Sequence, residues 1–64
     1  MEPLLNLEQA GQLLGLSDRQ VYELTRRRSQ ARQQYPLPFF RVGKQIRFRK
    51  SSIAAWVDAL EKNS

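Results

Sequence analysis

Ten of the eleven lysines and arginines in this 64-residue chain fall between residues 19 and 50, with Glu23 the one acid among them. That stretch carries a net +9 in a chain whose total is +5, and the remainder, Lys62 against Glu2, Glu8, Asp18, Asp58 and Glu61, carries −4. A basic middle between acidic ends is a surface for a polyanion. The residue types sharpen this. Arg19, Gln20, Tyr22, Glu23 and Arg26 crowd into two helical turns of sequence. Arginine bonds a guanine edge bidentately, glutamine pairs with adenine, and glutamate accepts from cytosine N4. A second group, "FFRVGKQIRFRK" at residues 39–50, alternates apolar and cationic side chains about one Gly-Lys pair.

Other chemistries lack their residues. The chain has no histidine and no cysteine, which removes the usual general base at neutral pH, the commonest metal ligands and any disulfide. It has no clustered acid pair either. An enzyme is the least supported reading, and no cofactor or metal is expected. No apolar run is long enough for a transmembrane helix or a signal peptide. The expectation is one small cytoplasmic domain spanning residues 1–64, with no membrane partner. A chain this short buries only about 60% of its unfolded surface, so its core must be compact.

The elements that would position the charged residues are marked by local signals. Asn6-Leu7-Glu8-Gln9 is a capping-box pattern. Leu7, Ala10, Gly11 and Leu14 behind it make one helical stripe, and Gly15 suits a left-handed helix end, so a first helix is expected over 7–14. Gly11 costs about 1 kcal/mol relative to Ala in mid-helix, which predicts close approach of another backbone. Ser17-Asp18-Arg19-Gln20 is a second capping box, opening a helix over about 18–28 whose inward residues are Val21, Leu24 and Thr25. Residues 29–34 read as a loop, and Pro36 and Pro38 enforce extended chain. Strands are expected over 39–42 and 45–49, joined at Gly43-Lys44 in a type II′ turn. The alternation predicts Phe40, Val42, Ile46 and Phe48 on an inner face, with Arg41, Arg47 and Arg49 outside. Ser51 is the expected N-cap of a last helix over 52–62, with Ile53, Trp56, Val57 and Leu60 as its stripe.

At about 100° per residue, Arg19, Tyr22, Glu23 and Arg26 lie opposite the inward stripe of the second helix. An exposed row of this kind on the second helix of a helix-turn-helix is what major-groove reading needs. The competing reading is a solvated face held by Arg19–Glu23 and Glu23–Arg26 ion pairs. The basic hairpin can lie along DNA phosphates or place its Gly-Lys-Gln tip in a minor groove. Its competing reading is a small sheet capping a helical core. Arg26-Arg27-Arg28 complements the dipole at the helix end and is placed to meet phosphate. Trp56 is expected in the core, and Tyr35 as a packing anchor for the proline loop.

"LEQAGQLLGLS", "DRQVYELTRRR" and "YPLPFFRVGKQIRFRKSSIAAWV", in this order over residues 4–60, resemble the small winged helix-turn-helix domains of phage excisionases and AlpA-type regulators, related to the DNA-binding part of MerR proteins. The resemblance implies an α+β fold: two N-terminal helices, a two-stranded antiparallel wing and a C-terminal helix. It implies that the second helix enters the major groove and the wing reaches the adjacent minor groove or backbone. The expected contact set is Ser17, Arg19, Gln20, Tyr22, Glu23, Arg26 and Arg27 with Arg41, Lys44, Gln45 and Arg47. This chain departs from the family in two places. Gly11 replaces the usual Ala, which is expected to loosen the packing of the first two helices. The link before Pro36 is several residues longer and adds Arg28 and Arg32. With no long dimerisation helix or effector domain, ligand sensing of the MerR kind is not expected.

The function expected is sequence-specific binding of double-stranded DNA without catalysis. Within that class the resemblance implies an excisionase-like recombination directionality factor working with a phage-type integrase, monomeric when free and a cooperative multimer on DNA. The alternative is an AlpA-like regulator of prophage or mobile-element genes, which would use the same surface. A lipid-surface peptide is the contrary class. It fails because all the apolar stripes are needed for one core.

Overall fold

The computed structural model describes residues 2–62. In chain order the elements are β1 (Leu4–Leu5), α1 (Leu7–Leu14), α2 (Asp18–Thr25), α3 (Arg27–Arg32), β2 (Phe40–Val42), β3 (Gln45–Arg49) and α4 (Lys50–Lys62). This is the expected α+β, winged helix-turn-helix architecture, with one strand and one short helix more than the sequence patterns predict.

Both capping boxes are complete. Gln9 N donates to Asn6 Oδ1 at 2.8 Å and Asn6 N to Gln9 Oε1 at 3.0 Å. Gln20 N donates to Ser17 Oγ at 3.2 Å and Ser17 N to Gln20 Oε1 at 2.9 Å. Gly15 ends α1 in the left-handed region, with φ 73°. Leu16 N then returns to the Gly11 carbonyl at 2.8 Å. A Cβ on Gly11 would stand 2.6 Å from the Leu16 carbonyl oxygen and 3.5 Å from Val21 Cγ2. The expected close approach is therefore present, and its partner is the turn itself. Gly11 tightens the α1–α2 corner, where the comparison with the family's Ala predicts loosening.

The second helix stops three residues earlier than expected. Its last carbonyls are taken by donors that do not continue the helix. Thr25 Oγ1 donates to the Tyr22 carbonyl at 2.7 Å. Arg26 N donates to the Glu23 carbonyl at 3.2 Å. Gln30 Nε2 donates to the Leu24 carbonyl at 2.6 Å. With these oxygens satisfied, Arg26 turns extended (φ −70°, ψ 146°). The chain restarts as α3, where the sequence predicts the end of one helix and then a loop over 29–34.

β1 and β2 both pair antiparallel with β3, giving the order β1-β3-β2. The wing is thus part of a three-stranded sheet. Gly43 has φ 64° and no described non-glycine residue has positive φ, as a type II′ turn at Gly43-Lys44 requires. The faces need correction. A two-residue turn sets Val42 opposite Gln45, Arg41 opposite Ile46 and Phe40 opposite Arg47. Directly opposed residues share a face. Phe40 and Val42 therefore stand beside Gln45 and Arg47 on the outer face, 36% and 53% exposed. Arg41 stands on the side of Ile46, exposed because β2 is an edge strand. Leu4, opposite Arg49, adds a third apolar residue to the outer face.

The core is Ala10, Val21, Leu37, Ile46, Phe48 and Ile53, with Leu5, Leu7, Leu14, Leu16, Leu24, Phe39 and Trp56 packed around it. Leu37, held between two prolines, is fully buried and was not part of any predicted stripe. Trp56 Nε1 donates to the Tyr35 carbonyl at 2.6 Å, so Tyr35 anchors the proline segment through its backbone. Val57 and Leu60 extend the α4 stripe past the core and remain exposed. α4 starts at Lys50, one residue ahead of the expected Ser51 cap. Ser51 lies inside the first turn and donates from Oγ (2.6 Å) and N (3.4 Å) to the Glu2 carboxylate. An acid from the far end of the chain thus takes the capping role, at the dipole end that favours negative charge.

Candidate nucleic-acid interface

The corner tightened at Gly11 fixes α2 against α1, with Val21 and Thr25 buried and Leu24 half-buried beneath it. Arg19, Tyr22, Glu23 and Arg26 are consequently on the exposed side. Arg26 Nη1 meets Glu23 Oε1 at 3.3 Å, while Arg19 has no side-chain partner among the described residues. Of the two ion pairs that the spacing allowed, only one forms. An exposed pair of this kind is worth about 0.2–1 kcal/mol, too little to hold Arg26 from a phosphate. Ser17 and Gln20 are exposed but engaged: the Ser17 hydroxyl and the Gln20 carbonyl oxygen serve the α2 cap, which leaves the Gln20 amide nitrogen to donate outward.

In the wing, Lys44 sits exposed at the turn. Arg47 is half-buried, and its guanidinium is held on the sheet: Nη1 donates to the Ile46 carbonyl at 2.8 Å and Nη2 to Gln45 Oε1 at 2.6 Å. Two of its five N–H donors are used in this positioning, and three remain for an external acceptor. Arg41 projects from the sheet edge on the other side.

Helix and wing meet across one cleft of about 420 Å³, lined by Asn6, Leu7, Glu8, Tyr22, Lys44, Gln45, Ile46 and Arg47. Four sequence-predicted residues, Tyr22, Lys44, Gln45 and Arg47, are brought together here from elements twenty residues apart. Ser17, Arg19, Gln20, Glu23 and Arg26 along α2 and its caps, Arg27 at the start of α3, and Arg41 lie outside its lining. Asn6 and Glu8 belong to the cleft, yet the sequence marks them only as cap residues. Their place follows from β1 running along β3, which sets the start of α1 beside the wing.

A family model for a helix-turn-helix domain matches residues 4–60. The chain belongs to the helix-turn-helix domain family. That family includes excisionase- and AlpA-like proteins, and the match makes this a DNA-binding helix-turn-helix protein. No curated protein and no solved structure matches the chain significantly. The helix-turn-helix domain spans the whole segment in which α1, α2, the wing and most of α4 cooperate. No described helix is long and apolar enough to cross a membrane, and the described residues hold no group of acids, histidines or cysteines fit for a metal ion.

Proposed function

We propose that this protein reads a specific duplex sequence with α2, straddles the adjacent backbone with the wing, and bends the DNA as an excisionase-like recombination directionality factor for a phage-type integrase. The observation that carries the reading is the cleft in which Tyr22 faces Lys44, Gln45 and Arg47. A recognition helix and a cationic ribbon held at the two sides of one concavity suit a groove and its neighbouring phosphates. The whole chain, bacterial or phage-encoded, acts as one domain on DNA in the bacterial cytoplasm, by architecture and without catalysis. Arg19 and the Gln20 amide read base edges, Glu23 accepts from an exocyclic amine, and Arg26, Arg27, Arg41, Lys44 and Arg47 hold phosphates.

Arg19→Ala should relax base preference, costing about 1–3 kcal/mol on a selected site and much less on scrambled DNA. Arg47→Ala should weaken both duplexes evenly. Anisotropy titrations of each variant on both duplexes decide this. Equal losses for Arg19→Ala on the two remove its role as a base reader.

The free protein is a monomer in this reading, and several copies occupy repeated half-sites cooperatively. Wing insertion bends the duplex at an elastic cost of a few kcal/mol, offset by added contacts. Sedimentation of the free protein and circular-permutation gel shifts of the complex should give a monomer and a curved, multiply occupied site. A stable dimer on one palindrome in straight DNA would overturn the excisionase-like architecture and leave helix-turn-helix DNA binding intact.

A further inference from the structure

The helix that the sequence patterns do not predict, α3, has an unusual composition. Its six residues are Arg27, Arg28, Ser29, Gln30, Ala31 and Arg32, and all three arginines are exposed. Arg28 and Arg32 stand one turn apart on the same face, with Arg27 beside them. Ser29, Gln30 and the following Gln33 are half-buried and form the inner side. No acid among the described residues pairs with this charge. None of the three guanidinium groups has a hydrogen-bond or ion-pair partner among the described residues.

Such a helix should not persist alone. Six residues are far too few for an isolated helix in water, and like charges at i, i+4 oppose it further. Gln30 supplies the restraint. Its side-chain nitrogen donates one hydrogen to the Leu24 carbonyl at the end of α2 (2.6 Å) and the other to the carbonyl of buried Leu37 (3.1 Å). Both amide hydrogens are thereby used. Gln30 N closes on the Arg26 carbonyl at 2.9 Å, and Gln33 N on the Ser29 carbonyl at 3.2 Å. The fold therefore orders a self-repelling cluster and aims it outward.

We propose that α3 is a second anion-binding element, gripping the phosphate backbone of the same duplex where the end of α2 leaves the groove. This rests on the DNA-binding reading of α2. An eight-residue helix is about 12 Å long, close to the width of the major groove. The C-terminal end of α2 thus comes to the groove wall, and α3 begins after one extended residue, Arg26. Arg28 and Arg32 are about 6 Å apart along the α3 axis. Successive phosphates of one strand advance about 3.4 Å along the duplex, so the two arginines have room for separate phosphates. Guanidinium groups suit this task because their planar fork binds phosphate bidentately. Gln30 acts as a positioning residue.

The test uses the full chain with Arg28→Gln and Arg32→Gln combined, titrated by fluorescence anisotropy against a 20-base-pair duplex of random sequence at several salt concentrations. The circular-dichroism spectrum should keep its folded form, since both side chains are exposed and neither has a hydrogen-bond or ion-pair partner among the described residues. The log–log salt slope should become shallower by about 1.8, and affinity near 0.1 M salt should fall by tens-fold. Lys62→Gln, which removes an exposed charge paired with Asp58, should leave the slope as it is. A wild type that binds with a steep slope, alongside a double variant that keeps it, overturns the role of α3 and leaves α2 and the wing intact. Equal loss with Lys62→Gln reduces the effect to overall charge and also overturns it. A wild type that does not bind the duplex at all brings down the DNA-binding reading of α2 and this one together, and one that binds without salt dependence overturns the phosphate role of α3 alone. Loss confined to single-stranded RNA or to phosphatidylserine vesicles would assign α3 to another polyanion and reject the duplex contact.

Discussion

Phe48→Ala should unfold this protein at room temperature or leave it on the edge of unfolding, whereas Phe40→Ala should change its melting only slightly. The two phenylalanines lie in paired strands of one hairpin, and an apolar pattern alone gives them the same weight. Their environments differ completely. Phe48 is 0% exposed, in the central strand of the sheet, among Ala10, Val21, Leu37 and Ile53. Removing a buried phenylalanine side chain costs about 3–5 kcal/mol in lost transfer energy and residual cavity. A domain of this length has a total stability of about 3–10 kcal/mol. Phe40 stands on the outer face of an edge strand, and truncation there should cost about 1 kcal/mol or less. Each kcal/mol moves the midpoint of so small a domain by about 4–8 °C. Trp56, the sole tryptophan, packs against the core and bonds Tyr35, so its fluorescence follows tertiary packing beside the circular-dichroism signal. The reverse result, with Phe40→Ala unfolded and Phe48→Ala melting normally, would mean that the opposite face of the sheet packs on the helices, and comparable unfolding by both would mean that β2 and β3 are paired one residue out of step.

The same contrast separates what the sequence makes legible from what it hides. Both capping boxes, the left-handed Gly15 and the turn at Gly43 are local devices, decided by residues within a few positions of each other, and each appears where its pattern stands. The inward stripes of α1 and α2 are legible for the same reason. The face of the hairpin is legible only by counting across its turn. Two turn residues pair Val42 with Gln45, and this count overrides the apolar look of Phe40 and Val42. β1, α3 and the α4 cap depend on distant partners. Leu4 and Leu5 become a strand because the edge of β3 is open to them. Residues 27–32 become a helix because Gln30 reaches two carbonyls belonging to other segments. Ser51 finds its acid at Glu2, 49 residues away. In the candidate interface, the exposed row on α2 follows from helical periodicity. That Arg19 has no partner among the described residues while Arg26 pairs with Glu23, and that Gln45 holds Arg47, depends on side-chain placement that spacing does not fix.

Affinity for DNA should collapse as salt rises, by about a thousandfold between 50 and 200 mM. Each phosphate neutralised by a lysine or arginine releases condensed counterion, which contributes about −0.9 to the slope of log affinity against log salt. Five or six contacts, drawn from the exposed cations of α2, α3 and the wing, give a slope of roughly −4 to −6. The distribution of acids supports a count this high. In the basic segment only Glu23 opposes the cations, and it holds Arg26 by a single exposed 3.3 Å contact. Of the acids outside it, Glu2 is engaged with Ser51 and Asp58 with Lys62. Arg26 is the informative member. If it leaves Glu23 for a phosphate on binding, Glu23→Gln should tighten binding to a duplex of random sequence, where Glu23 reads no preferred base, modestly and without altering the slope. If the pair persists in the complex, Glu23→Gln should instead steepen the slope by about one, because a new phosphate contact becomes available. Anisotropy titrations of wild type and Glu23→Gln over the same salt series measure both quantities. A wild-type slope near zero would mean that the concentrated charge between residues 19 and 50 serves solubility, and the helix-turn-helix would then have to bind through base edges alone.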